Sequence, residues 1–95
     1  MKNFKIEYSA RAKKDLRDLA YYIALDNKER ALSFRKEIEQ EIANLSGFPY
    51  LGKETDKGKR SIVKKPYIIY YVVNEETKTV EILHIRHGAR KSLQA

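Results

Sequence analysis

Hydrophobic residues change their spacing along this chain, and each change marks off an element. Phe4, Ile6 and Tyr8 alternate with Lys5 and Glu7, the period-two pattern of a half-buried strand. Ser9 follows in the position that caps a helix. The stretch ARAKKDLRDLAYYIA then places Ala12, Leu16, Leu19, Ala20 and Ile23 on one helical face, with Arg11, Lys14, Asp15 and Asp18 opposite. Asp26-Asn27 interrupts the pattern, and Asp26 with Glu29 has the D-x-x-E form of a capping box. A second helix carries Ala31, Phe34, Ile38, Ile42 and Leu45 in a narrow stripe, and Gly47 and Pro49 end it. So short a link predicts two antiparallel helices, each about 25 Å long at ~1.5 Å per residue.

Past residue 50 the helical period is gone. GKETDKGK, residues 52–59, is a polar loop, and residues 60–65 form a short strand through Ile62 and Val63. Pro66 makes a turn. YIIYYVV, residues 67–73, is apolar on both alternations, as a central strand is. After the turn NEETK, residues 80–86 make the last strand, with Val80 and Ile82 on one face and Leu83 and Ile85 on the other. The order is β-α-α-β-β-β over a single domain, residues 1–95. It predicts an α+β fold in which a helical hairpin packs on a largely antiparallel four-stranded sheet.

Composition narrows the function more than the fold. The chain has no cysteine, which removes disulfides and thiolate metal sites. Its two histidines, His84 and His87, point to opposite faces of a strand, so no metal and no cofactor is expected. No apolar run approaches the roughly 18 residues of a membrane span, and the first residues lack the apolar core of a signal peptide. Those two features together predict a cytoplasmic protein. Net charge is +7 and is unevenly placed: residues 1–47 carry +2, residues 48–95 carry +5. An electropositive second half suits an anionic partner, nucleic acid or an acidic protein segment.

The order of elements, with SARAKKDLRDLAYYIALDN, ALSFRKEIEQEIANLSGFPYLG, KRSIVKKPYIIYYVV and the ending VEILHIRHGAR, resembles the RelE/ParE superfamily of type II toxin–antitoxin toxins over residues 4–91. It is most similar to the ParE-like members, sometimes described as plasmid-stabilisation proteins. The resemblance implies a toxin neutralised by a cognate antitoxin that wraps it. ParE-like members are understood to poison DNA gyrase by binding. RelE-like members cut messenger RNA on the ribosome without a metal.

A metal-free nuclease needs a base, an acid and cations around one phosphate. Glu54, Arg86 and His87 are the candidates, with Asp56 a second possible base. RNA-cutting relatives carry an arginine early in the central strand, where this chain has Pro66-Tyr67-Ile68, and a tyrosine beyond the last strand, where residues 88–95 have none. Binding of an essential target, DNA gyrase first, is therefore the expected activity. The ribosome and mRNA are the alternative targets, and a non-toxic antitoxin-binding remnant is a further alternative. Lys64, Lys65, Arg86, Arg90 and Lys91, with His87 at the edge, are expected to form one basic patch for that target. The stripes Leu19, Ile23, Phe34, Ile38 and Ile42, with Tyr21 and Tyr22 beside them, are the expected antitoxin surface.

Overall fold

The structure is a computed structural model that describes residues 3–88. Strand β1 (Lys5–Tyr8) leads into helix α1 (Ala10–Ala24) and helix α2 (Lys28–Ala43), which runs on into a single 3-10 turn, Asn44–Ser46. Strands β2 (Lys53–Glu54), β3 (Lys59–Lys64), β4 (Tyr67–Asn74) and β5 (Thr79–His87) follow. They form one sheet in the order β1-β5-β4-β3-β2, in which β1 runs parallel to β5 and all other pairs are antiparallel. The class is the expected α+β. The sheet has five strands rather than four because Lys53 and Glu54, inside the polar loop, pair with Ser61 and Arg60.

Both helices lie on one face of the sheet. Leu16, Leu19, Phe34, Ile38 and Ile42 share a core with Tyr67, Ile69 and Tyr71 of β4 and with Val80, Ile82 and Ile85 of β5. Ser9 caps α1, its hydroxyl accepting from the Ala12 amide at 3.0 Å. At α2 the cap is Asn27, whose side chain accepts from the Arg30 amide at 2.9 Å, and not Asp26. Asn27 has the extended, non-helical backbone of an N-cap, φ −157° and ψ 108°, which leaves Asp26 one position too early. Gly47 has φ −91°, so it closes the 3-10 turn in the right-handed region and not as a left-handed cap.

One irregularity rearranges β5. Tyr70 pairs with His84 but Tyr71 pairs with Ile82, so Leu83 is an extra residue on β5. Such a bulge shifts the alternation by one position. Ile85 therefore joins Val80 and Ile82 in the core, where strict alternation placed it on the opposite face. β1 pairs with β5 only as far as Ile82, which leaves the bulge on an open edge. The amide of Ser9 donates to Ile82 O, its hydroxyl donates to Leu83 O at 2.7 Å, and the Asp15 carboxylate accepts from the Ile85 amide at 2.9 Å. The start of α1 thus completes the edge that β1 leaves unpaired.

Candidate functional site

Pleating decides which of the basic residues share a surface. Lys64 stands opposite Tyr67, which stands opposite His87, so all three project toward the helices. Lys64 lies 3.6 Å from Glu37 of α2. The His87 ring meets Tyr67 edge-on at 5.2 Å and borders a cavity of about 340 Å³, together with Tyr22, Asp26, Arg30 and Phe34. Arg86 stands opposite Ile68 and projects from the other face. Lys65 is exposed in the turn that follows β3. Lys64, Arg86 and His87 are thus adjacent at one end of the sheet but divided between its faces, and the single patch does not form from them. Arg90 and Lys91 lie outside the described residues.

The three nuclease candidates are also separated. Glu54 pairs across the strand with Arg60, whose Nη2 is 3.9 Å from Glu54 Oε1. Arg60 faces Tyr71 toward the opposite end of the sheet from Lys64 and Tyr67. Glu54 is therefore remote from both His87 and Arg86. Among the described residues no group of three histidine, cysteine or carboxylate side chains could hold a metal ion. No described helix is long and apolar enough to cross a membrane.

What Arg86 does join is a stack on the face that the helices leave open. The Tyr70 and His84 rings lie nearly parallel, 19° apart with centroids at 4.6 Å. Arg86 donates to the Tyr70 hydroxyl from Nε at 3.3 Å and from Nη2 at 3.1 Å. His84 Nδ1 and Arg86 Nη1 are buried and find no hydrogen-bond partner among the described residues. Lys53, Lys59 and Ser61 project from this same face, beside Val63, Ile68 and Val72. Glu81, opposite Val72, and Glu7 beside it project from this face too, so it is a mixed-charge surface with an apolar centre, in which Lys53, Lys59 and Arg86 can hold anionic groups through charge-assisted hydrogen bonds. Tyr70 and His84 are partners because the bulge shifts the register of β5 by one residue.

Burial holds the His84 imidazole below its usual pKa; Arg11 adds to this, Asp15 opposes it, and Arg86 and Lys59 add further. A histidine kept neutral in the folded state binds fewer protons than in the unfolded chain. Stability is then full above about pH 6.5, the unfolded value, and is lost as pH falls toward the lowered folded value. We expect the urea midpoint to fall between pH 7.5 and pH 5.5, and His84→Phe, which keeps a ring on Tyr70, to remove the part of that fall due to His84. An identical fall in both proteins would show that His84 does not contribute.

The expected antitoxin residues divide into interior and surface. Leu19 is 6% exposed, Phe34 2%, and Ile38 and Ile42 0%, so the sheet buries these stripes. Ile23 is partly buried against the same core. Tyr21 and Tyr22 remain exposed at 69% and 49%. Two leucines that the stripe analysis passed over, Leu25 and Leu32, are exposed beside them. Tyr21, Ala24, Ala31 and Leu32 line an apolar cavity of about 340 Å³ between the helices, bordered by Lys28 and Arg35. Ala20, Ala24 and Ala31 are small side chains at the seam of the hairpin, and they leave the space that the cavity occupies.

Comparison with known proteins agrees with this architecture. Residues 6–92 match the family described as ParE toxin of type II toxin-antitoxin system, parDE. Among solved structures, the chain is similar to a chain of the chromosomal ParDE system from P. aeruginosa, at 21% identity and a TM-score of 0.76 over 88% of this chain and 95% of that one. It is similar to a chain of the RelBE2 toxin–antitoxin complex from Mycobacterium tuberculosis, at 25% identity and a TM-score of 0.63 over 92% and 93%. It is also similar to the isolated RelE toxin of E. coli, at 16% identity and a TM-score of 0.70 over 96% and 90%. A comparison with curated protein sequences gives no match. With the family match spanning nearly every strand and helix of the fold, the chain belongs to the ParE toxin family of type II toxin–antitoxin systems.

Proposed function

We propose that this toxin acts in the cytoplasm by binding an essential target, DNA gyrase first among candidates, and that a cognate antitoxin silences it. The observation that carries binding over cutting is the dispersal of Glu54, Arg86 and His87. Glu54 is tied to Arg60, Arg86 to Tyr70, and His87 lies on the opposite face from Arg86. A base, an acid and a cation that do not converge on one phosphate cannot share its transition state. The target contact is assigned to the open sheet face around Arg86, in place of the patch read from the sequence. For the antitoxin, the support is the groove of Tyr21, Ala24 and Leu32, whose borders at Lys28 and Arg35 suit an acidic amphipathic helix. The similar RelBE2 structure is itself a toxin–antitoxin complex.

The test is induction without antitoxin. Growth should stop, with filamentation and a DNA-damage response and with messenger RNA intact, and co-expressed antitoxin should restore growth. Rapid codon-periodic cuts in messenger RNA would replace this reading with the endonuclease one. Unimpaired growth at matched soluble expression would leave only a non-toxic antitoxin-binding remnant.

A further inference from the structure

Between α2 and β2, Phe48, Tyr50 and Leu51 are 70%, 48% and 61% exposed. Scattered apolar side chains on a surface need no explanation, but three large ones within a four-residue turn make a patch. The backbone beneath them is fixed from several directions. The Phe48 amide donates to Asn44 O at 3.2 Å, and the Leu51 amide donates to Phe48 O at 3.1 Å. The Tyr71 hydroxyl donates to Pro49 O at 2.8 Å and accepts from the Gly52 amide at 2.8 Å. Arg60 donates to Gly52 O at 2.8 Å and lies over the Tyr50 ring at 4.8 Å. Tyr50 also donates to Glu75. A backbone so constrained has little ordering entropy of its own left to lose on binding.

Charge says what kind of surface fits. Lys53, Lys57 and Lys59 follow the patch and are all exposed. Of the carboxylates nearby, Glu54 is paired with Arg60, and Glu75 with Tyr50 and Lys78, which leaves exposed Asp56 and Glu76 against the three lysines. The patch also lies beyond the C-terminal end of α2, whereas the hairpin groove lies toward its N-terminal half, so the two surfaces are separate.

We propose that the Phe48–Leu51 turn is a second docking surface, separate from the antitoxin groove. On it the toxin's target protein seats an apolar socket rimmed by carboxylates. This rests on the toxin reading above and extends the target contact from the open sheet face, which Lys53 and Lys59 join to the turn.

The experiment compares the parent, Phe48→Ser/Leu51→Ser and Lys53→Glu/Lys57→Glu, each induced without antitoxin and each titrated with purified cognate antitoxin. Both variants alter exposed side chains, so thermal unfolding should be unchanged. Growth arrest should weaken at least tenfold in the inducer level required, with antitoxin affinity within twofold of the parent. Full arrest by the serine variant overturns the docking surface. Full arrest by the glutamate variant alone overturns the acidic socket. A tenfold loss of antitoxin affinity with either variant would hand the turn to the antitoxin and overturn the proposal too. If the parent itself causes no arrest, the toxin reading falls and takes this proposal with it.

Discussion

Replacing Ile38 by alanine should lower the unfolding free energy by about 2–5 kcal/mol, the range for truncating a fully buried aliphatic side chain. Ile38 is 0% exposed and packs in a core with Leu19, Phe34 and Ile42 from the helices and Ile69 and Tyr71 from the central strand. Side chains from two layers converge there, and the cavity has little freedom to close. A domain of this size is stable by only about 5–15 kcal/mol, so the loss is a large fraction of the whole. The melting temperature should drop by about 8 °C or more, at roughly 4–8 °C per kcal/mol for a domain of this class. Tyr21→Ser makes the contrast. At 69% exposure it should change stability by less than about 0.5 kcal/mol while weakening antitoxin binding. Urea titrations of both proteins, with and without antitoxin, separate the two effects. A small loss for Ile38→Ala, under 1 kcal/mol, would mean that the stripe is not sealed by the sheet.

That contrast also locates what the sequence could and could not tell. A helical stripe such as Phe34, Ile38 and Ile42 announces that it will be buried, but its period is the same whether a sheet or a partner covers it. Here the sheet covers it. The β-α-α-β-β-β order was legible because each boundary carried its own chemistry: Ser9 before α1, Pro66 between β3 and β4, and the polar turn after Asn74. The strand at Lys53–Glu54 was not, because two charged residues paired at a sheet edge have no alternation to display. Nor was the bulge at Leu83. It depends on Ser9 and Asp15 reaching the edge of β5 across more than seventy and about seventy residues of sequence, respectively. The division of Lys64, Arg86 and His87 between the two faces was hidden for a related reason. Lys64, Arg86 and His87 were correctly brought to one end of the sheet by topology, but pleating assigns neighbours in sequence to opposite faces. The Tyr70–His84–Arg86 stack needed that same register before it could be seen.

The turn that carries Phe48 and Leu51 should be equally sensitive to one methyl group at its base. A Cβ on Gly52 would lie 2.6 Å from the Tyr71 hydroxyl and 2.7 Å from Ser61 O. The first atom ends a side chain that is 0% exposed, and the second belongs to the β3 backbone, so neither can step aside without disturbing the core or the sheet. Gly52→Ala then has to push the loop away from Tyr71 and break the hydrogen bonds that hydroxyl makes to Pro49 O and the Gly52 amide. Overpacking of about 1–3 kcal/mol and a buried polar group left without its partner, about 1–3 kcal/mol, together predict a loss of roughly 2–6 kcal/mol. Gly47→Ala is the matched control five residues earlier, where a Cβ meets nothing within 4 Å and φ is −91°. A residue other than glycine fits that backbone, so this substitution should be neutral or stabilise by about 0.4–1 kcal/mol through the unfolded chain. Denaturant unfolding of the two alanine variants side by side is the measurement. Equal stabilities would show that the loop yields freely at Gly52, and the rigid presentation of Phe48 and Leu51 would then be lost as well.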